Sequence, residues 1–273
     1  MSNLVYYAKT EQRKKFVHKI LEIFKNQLKG KILIKPNHVS HEVYPTTTHI
    51  ETIEAVIQFL ESQRSNIFVG DGYASDLSKR KMKNTPIQSL CDKLNVPFID
   101  FHKEKMDELT TKRGFKVNMS TVPFDEFDCI ISLPVLKCHL VCTITGALKN
   151  VVGYFERNER FDMHAGKINI HKLIAEANWL LYNSKIPIFH LTIMDAVQTM
   201  MVANEFRHGG KPFDLGYIIA GTNPVALDVF GFKLLKENTP AYPDKEFNDV
   251  KHLLYSIEYG LGTKEYELQE LNL

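Results

Sequence analysis

Between residues 137 and 150 the chain sets Lys137, His139, Thr143, Thr145, Lys149 and Asn150 among Leu140, Val141, Ile144, Ala147 and Leu148. Ammonium groups are costly to bury, so two lysines in such company should share an anion, a metal or a carboxylate. A solvated basic loop is the bland alternative, but such a loop has no need of apolar neighbours around its lysines. The pattern therefore points to a pocket. Lysines there would hold carboxylate or phosphate. A histidine titrates near neutrality and can move a proton, which makes His139 a candidate general acid or base.

The elements that would position these groups are short apolar runs. Ile130 to Leu133, stopped by Pro134, reads as a strand buried on both faces. Similar runs occupy 31–34, 67–69, 188–194 and 217–220. Pro36 holds the exit of the first extended and leaves Lys35 and Asn37 at its carboxyl end. Gly70-Asp71-Gly72 leaves the second, and Asp195 ends the 188–194 run. Ligands of open α/β sheets bind at strand carboxyl ends. The turns after residues 34, 69, 133 and 194 are therefore expected on one edge, with Lys35, Asn37 and Asp195 beside the central group. Asp195 would pair with a lysine, orient a histidine, or simply cap or salt-bridge.

Helical periodicity fills the intervals. Phe16, Ile20, Ile23, Phe24 and Leu28 predict an amphipathic helix over 11–29, ended by Gly30. Thr46 to Thr48 are expected to cap a helix carrying Ile53, Val56, Ile57 and Leu60. Thr85 and Pro86 start another, through Leu94. Further helices are read around Ile170–Leu181, from Asn223-Pro224 through Leu234, and over 245–259 to Gly260. Residues 103–120 read as a small polar excursion, 154–164 and 203–213 as loops, Lys79 to Lys83 as a solvated basic face, and the tail as polar. Repeated helix–strand alternation predicts one α/β domain over 1–273, with a mainly parallel sheet covered by helices on both faces.

At 273 residues, 44% hydrophobic and 24% charged, the composition is that of a globular protein able to bury a sizeable core. A formal net charge of +2 offers no whole-molecule argument for nucleic acid. No apolar run approaches a membrane span and no leader is apparent at the start, so a cytoplasmic location without membrane contact is the expectation. Cys91, Cys129, Cys138 and Cys142 lack the spacing of a disulfide framework and read as reduced, buried filler. The Cys138-His139-x-x-Cys142 spacing matches no zinc or cluster motif, and no metal ligand is assigned. No Gly-x-Gly-x-x-Gly, phosphate loop, Gly-x-Ser-x-Gly or His-Glu-x-x-His occurs.

Ser-Leu-Pro-Val-Leu-Lys-Cys-His (132–139) followed by Gly-Ala-Leu-Lys-Asn-Val-Val-Gly (146–153) resembles the signature of the domain-of-unknown-function-362 family. Ile-Lys-Pro-Asn (34–37), Val-Gly-Asp-Gly (69–72), Ile-Met-Asp-Ala (193–196) and Gly-Thr-Asn-Pro-Val-Ala-Leu-Asp (221–228) match further pieces in the family's order, over most of the chain. The family has no general assigned reaction. The resemblance implies that a basic residue and a histidine follow the Lys-Asn-x-x-Gly element, where Arg160 and His164 stand. It also implies that a thiolate at Cys138 is dispensable, since many members carry threonine there. Gly209-Gly210 stands where members often have Gly-Pro. Some relatives carry ferredoxin-type modules, and no cluster motif of that kind is visible here.

Three readings follow. The first is an enzyme acting on a small anionic metabolite. In it Lys35, Asn37, Lys137, Thr143, Thr145, Lys149, Asn150, Arg160 and Asp195 bind, and His139 or His164 moves the proton. The second is a non-catalytic anion-binding protein built from the same residues. The third is an oxidoreductase component working with a separate iron–sulfur partner. The cofactor, whether metal or redox, and homo-oligomerisation stay open on the sequence.

Overall fold

The chain alternates β1 (Leu4–Lys9), α1 (Arg13–Phe24), β2 (Ile32–Pro36), α2 (Ile50–Phe59), β3 (Ile67–Asp71), α3 (Pro86–Leu94) and β4 (Phe98–Asp100). A hairpin of β5 (Met106–Thr110) and β6 (Lys116–Ser120) follows, then α4 (Val122–Asp125) and β7 (Cys129–Leu133). Next come a small ribbon, β8 (Lys137–His139) with β9 (Thr143–Thr145), and the helices α5 (Arg157–His164) and α6 (Ile170–Tyr182). The long strands β10 (Phe189–Met201) and β11 (Lys211–Gly221), then α7 (Pro224–Asn238), α8 (Lys251–Glu258) and β12 (Glu267–Glu270), complete it. This is a computed structural model, describing residues 2–74, 76, 77, 82–240, 242 and 244–273. Lys79, Arg80 and Lys81 of the basic segment lie outside the described residues.

The central sheet has eight strands in the order β12-β1-β11-β10-β7-β2-β3-β4. Pairings β10–β7, β7–β2, β2–β3, β3–β4 and β1–β12 are parallel, whereas β1–β11 and β10–β11 are antiparallel. The period of two along each buried strand divides its residues between two cores. Ile32, Ile34, Ile131 and Ile193 face α1, α2 and α3 through Phe16, Val17, Val56 and Ile87. Leu33, Ile130 and Ile219 face α6, α7 and α8 through Leu173, Ile174, Leu227 and Leu253. Helices therefore cover both faces, and the fold is α/β around a mostly parallel sheet.

Several boundaries differ from the sequence expectation. The helix capped near Thr48 starts at Ile50, and His49 caps it, accepting from the Glu51 amide. Thr48 is instead a clasp: its hydroxyl accepts from the Asn37 amide and donates to the Leu133 carbonyl. Most of the expected 154–164 loop is helix α5, because Glu156 accepts from the Asn158 and Glu159 amides and starts it at Arg157. The run through Met194 does not stop there. The Asp195 amide donates to Pro134 and its carbonyl accepts from Leu136, so β10 continues to Met201. The turn expected after residue 194 is therefore absent from the shared edge. The 217–220 run is the far half of β11, paired back on β10, and the polar tail contains edge strand β12. Capping at Thr85-Pro86 and Asn223-Pro224 is as expected.

Candidate functional site

The carboxyl ends of β2, β3 and β7 meet below the loop that carries Lys149. Lys35, last but one in β2, reaches the end of β3 and pairs with Asp71 at 2.6 Å, both side chains 2% exposed. The Asp71 carboxylate also accepts from the His38 and Gly72 amides. Lys35 donates again to the Pro36 carbonyl, and Asn150 lies at 3.5 Å. Asn150 is itself fixed by donating to the Lys35 carbonyl and the Ser132 hydroxyl. Burial pushes the Lys35 pKa down and Asp71 opposes the shift. This cation is already neutralised within the fold.

Lys137 is equally buried but has neutral partners, the Asn37 side-chain oxygen at 2.8 Å and the Thr46 carbonyl at 2.6 Å. Burial lowers its pKa to about 7, against the opposing charge of Glu205. Lys149 differs from both. It sits in the three-ten turn Leu148–Tyr154, is buried, and forms no ion pair or hydrogen bond through its amine among the described residues. Burial lowers its pKa, with the approach of Cys142 opposing and Arg160 adding to the fall. Arg160 reaches from α5 to the Gly72 and Tyr73 carbonyls and, among the described residues, pairs with no carboxylate. Its pKa falls to about 10 by burial, so it stays charged.

Lys149 and Arg160 border two adjoining spaces. The larger, about 400 Å³, is lined also by His139, His164, Val152, Glu205 and Arg207. The smaller, about 30 Å³, reaches inward to Lys35, Asn37, Asp71, Thr145 and Asn150. Leu140 and Phe161 stand exposed at the mouth of the larger. Glu205, a buried acid in its wall, is held by Arg207 at 2.7 Å.

Backbone contacts fix the two histidines in opposite senses. His139 Nδ1 accepts from the Val141 and Cys142 amides, so its proton is on Nε2. His164 Nδ1 donates to the Arg160 carbonyl at 2.7 Å, so its Nε2 carries the lone pair. The rings lie 6.3 Å apart. Burial, then the charge of Lys149, holds both pKa values below the usual histidine range. At neutral pH one histidine offers a hydrogen-bond donor and the other a base.

The expected site residues therefore divide. His139, His164, Lys149 and Arg160 come together, with Lys35, Asn37, Thr145 and Asn150 just inward of them. Lys137 lines neither space. Thr143 turns away, its hydroxyl donating to the Asp249 carbonyl. Asp195 also lies elsewhere, mid-strand, gripped by Arg13 at 2.7 Å and by the Tyr44 hydroxyl. Asp71, Glu205 and Arg207 were not singled out from the sequence. Asp71 alone left a signal, as the acid in the glycine turn at a strand end.

Residues 32–233 match the family model described as Domain of unknown function (DUF362). The chain belongs to that family. A thylakoid-associated protein of Synechocystis sp. is 26% identical over 207 residues, covering 72% of this chain and 60% of that protein. Among solved structures, the lactate racemase apoprotein from Thermoanaerobacterium thermosaccharolyticum superposes with a TM-score of 0.51 at 12% identity. The match covers 86% of this chain and 57% of that one, and at this identity it speaks to the fold alone. A Thermotoga maritima protein gives 0.46 at 14% identity, covering 74% and 53%. The DUF362 chain thus spans less than two thirds of each of these three proteins. Among the described residues no helix is long and apolar enough to cross a membrane.

Proposed function

We propose that this DUF362 protein is an enzyme that binds a small carboxylate or phosphate against Lys149 and Arg160 and moves a proton with His139 and His164. The observation that carries the reading is the pair of buried cations, without an ion-paired carboxylate among the described residues, at the wall of one cavity. A buried cation is stabilised by an anion brought to it. With the anion on Lys149 and Arg160, the His164 Nε2 lone pair accepts a proton from substrate, and His139 Nε2–H hydrogen-bonds the oxygen on which charge develops. Lys35, Asn150 and Asp71 form the packed floor that keeps Lys149 in place. Lactate, the substrate named by the racemase of similar fold, belongs to the ligand class this site fits.

The test is calorimetric titration with phosphate, lactate and pyruvate. The parent is expected to bind at least one of them, and Lys149→Met to weaken that binding by about tenfold or more, which is about 1.4 kcal/mol. Lys93→Met, on an exposed part of α3, is the control. Proton transfer is read separately, as deuterium uptake at the methyl of pyruvate in D2O by NMR. His164→Gln should abolish uptake while retaining anion binding. A parent that binds none of the three anions, or a Lys149→Met variant that binds like the parent, would rule the site out.

A further inference from the structure

Cys142, His171 and His252 come from three separate parts of the chain: the β8–β9 turn, the start of α6 and the start of α8. The Cys142 sulfur and one ring nitrogen from each histidine all lie within 4.8 Å of one another. Cys142 and His252 are fully buried. Both ring nitrogens of His252 and Nδ1 of His171 are buried without a hydrogen-bond partner among the described residues. A buried polar atom left unpaired is destabilising. Each neutral imidazole has one lone pair, so the two rings and the thiol turn three donor atoms toward one point. The rings stand nearly parallel, 6.2 Å between centroids, and the backbones beneath them are held in place. The His171 amide donates to the Asn169 cap, and the His252 carbonyl accepts from Ser256.

We infer that Cys142, His171 and His252 form a binding site for a zinc-class divalent ion. One sulfur and two imidazoles are a borderline-soft set that favours zinc or cobalt over magnesium or calcium. Tetrahedral zinc spaces its N and S ligands by about 3.3–3.8 Å, so modest side-chain adjustment closes the observed triangle. Binding forms a metal–sulfur bond and releases the thiol proton to solvent, while each neutral imidazole donates a lone pair. Three protein ligands leave the fourth position for water. The set is not the sequence-adjacent Cys138-His139-Cys142. His139 Nδ1 already accepts two amides, and Tyr242 is the hydrogen-bonding neighbour of the Cys138 thiol. This inference is independent of the anion-site reading.

The full chain, stripped with chelator, is dialysed against zinc and its metal content measured. Cobalt replaces zinc in a parallel sample for absorption spectroscopy. The parent should retain one zinc per chain, melt at higher temperature with zinc than without, and show a near-ultraviolet thiolate-to-cobalt band with tetrahedral cobalt bands in the visible. Cys142→Ser should lose the thiolate band and bind at least tenfold more weakly, while Cys138→Ser should match the parent. His171→Asn, at a half-buried position, provides the same comparison should Cys142→Ser not fold. A parent that retains neither metal, or one whose metal and spectrum survive both Cys142→Ser and His171→Asn, overturns the inference.

Discussion

Lys35, Lys137 and Lys149 are three buried lysines with three electrostatic fates. Lys35 is paired with Asp71, Lys137 rests on neutral oxygens, and Lys149 forms no ion pair within the described chain. Removing the charge should therefore have different consequences in each case. Lys35→Met leaves the Asp71 carboxylate buried with two amides and without its ion-pair partner. A cost of about 3–5 kcal/mol is expected for breaking such a pair, read as a lower urea midpoint. Lys149→Met removes an uncompensated charge and should leave the midpoint nearly unchanged or raise it. Equal losses in the two variants would contradict this difference between the paired and the unpaired lysine. Gly153 completes the floor. A Cβ at that position would lie 1.9 Å from Asp71 Oδ1 and 2.6 Å from Lys35 Nζ. Gly153→Ala must push the ion pair apart, so its loss of stability should approach that of Lys35→Met.

At the scale of elements, the turn bearing Lys149 and Asn150 is anchored from α7. Asp228 accepts from the Ala147 amide at 2.6 Å and the Leu148 amide at 3.0 Å. Asp228→Ala leaves both donors buried and unsatisfied, which costs about 1–3 kcal/mol for each. Because the turn also aims Lys149, the variant should lose affinity for the anion that the parent binds best, although it touches no ligand. Unaltered anion binding in a folded Asp228→Ala protein would show that the turn holds its shape without α7. The elements most legible in the sequence were those whose burial leaves a local pattern. Strands β2, β3 and β7, covered on both faces, read as short apolar runs. Helices α3 and α7 declared themselves through Thr85-Pro86 and Asn223-Pro224. Helix α5 was not legible because its start depends on one glutamate side chain, and its buried positions include Arg160. Strand β1 and edge strand β12 pair with each other over more than 250 residues of sequence, which no local window reaches. The same holds for the site. Lysines at strand ends were visible, but the pairing of Lys35 with Asp71 and the rest of Lys137 on Asn37 and Thr46 were not. Asp195 reads as a strand-end acid because nothing local shows that residues 134–136 carry β10 onward.

Across the whole molecule, buried titratable groups set how stability should vary with pH, and they act in two windows. Burial lowers the pKa values of His38 and His190 from the ordinary 6.5 to about 4. Between those values the unfolded chain binds more protons than the folded one, so stability falls as pH drops from about 6.5 toward 4. On the alkaline side, burial lowers Lys137 from 10.5 to about 7. The unfolded chain again holds the extra proton, now between about 7 and 10.5, so this group makes stability rise with pH across that range. The two windows predict a protein that tolerates mild alkali better than mild acid. Urea midpoints measured from about pH 5 to pH 9.5 test this. His38→Gln should flatten the acid limb, where the Nε2 of His38 is buried without a partner among the described residues. Lys137→Met should flatten the alkaline limb and leave the acid limb alone, even though losing its bonds to Asn37 and Thr46 lowers the whole curve. An alkaline limb of unchanged slope in Lys137→Met would mean that Lys137 is charged in the folded protein at neutral pH. It would then need an anionic partner in place of the neutral oxygens that now hold it.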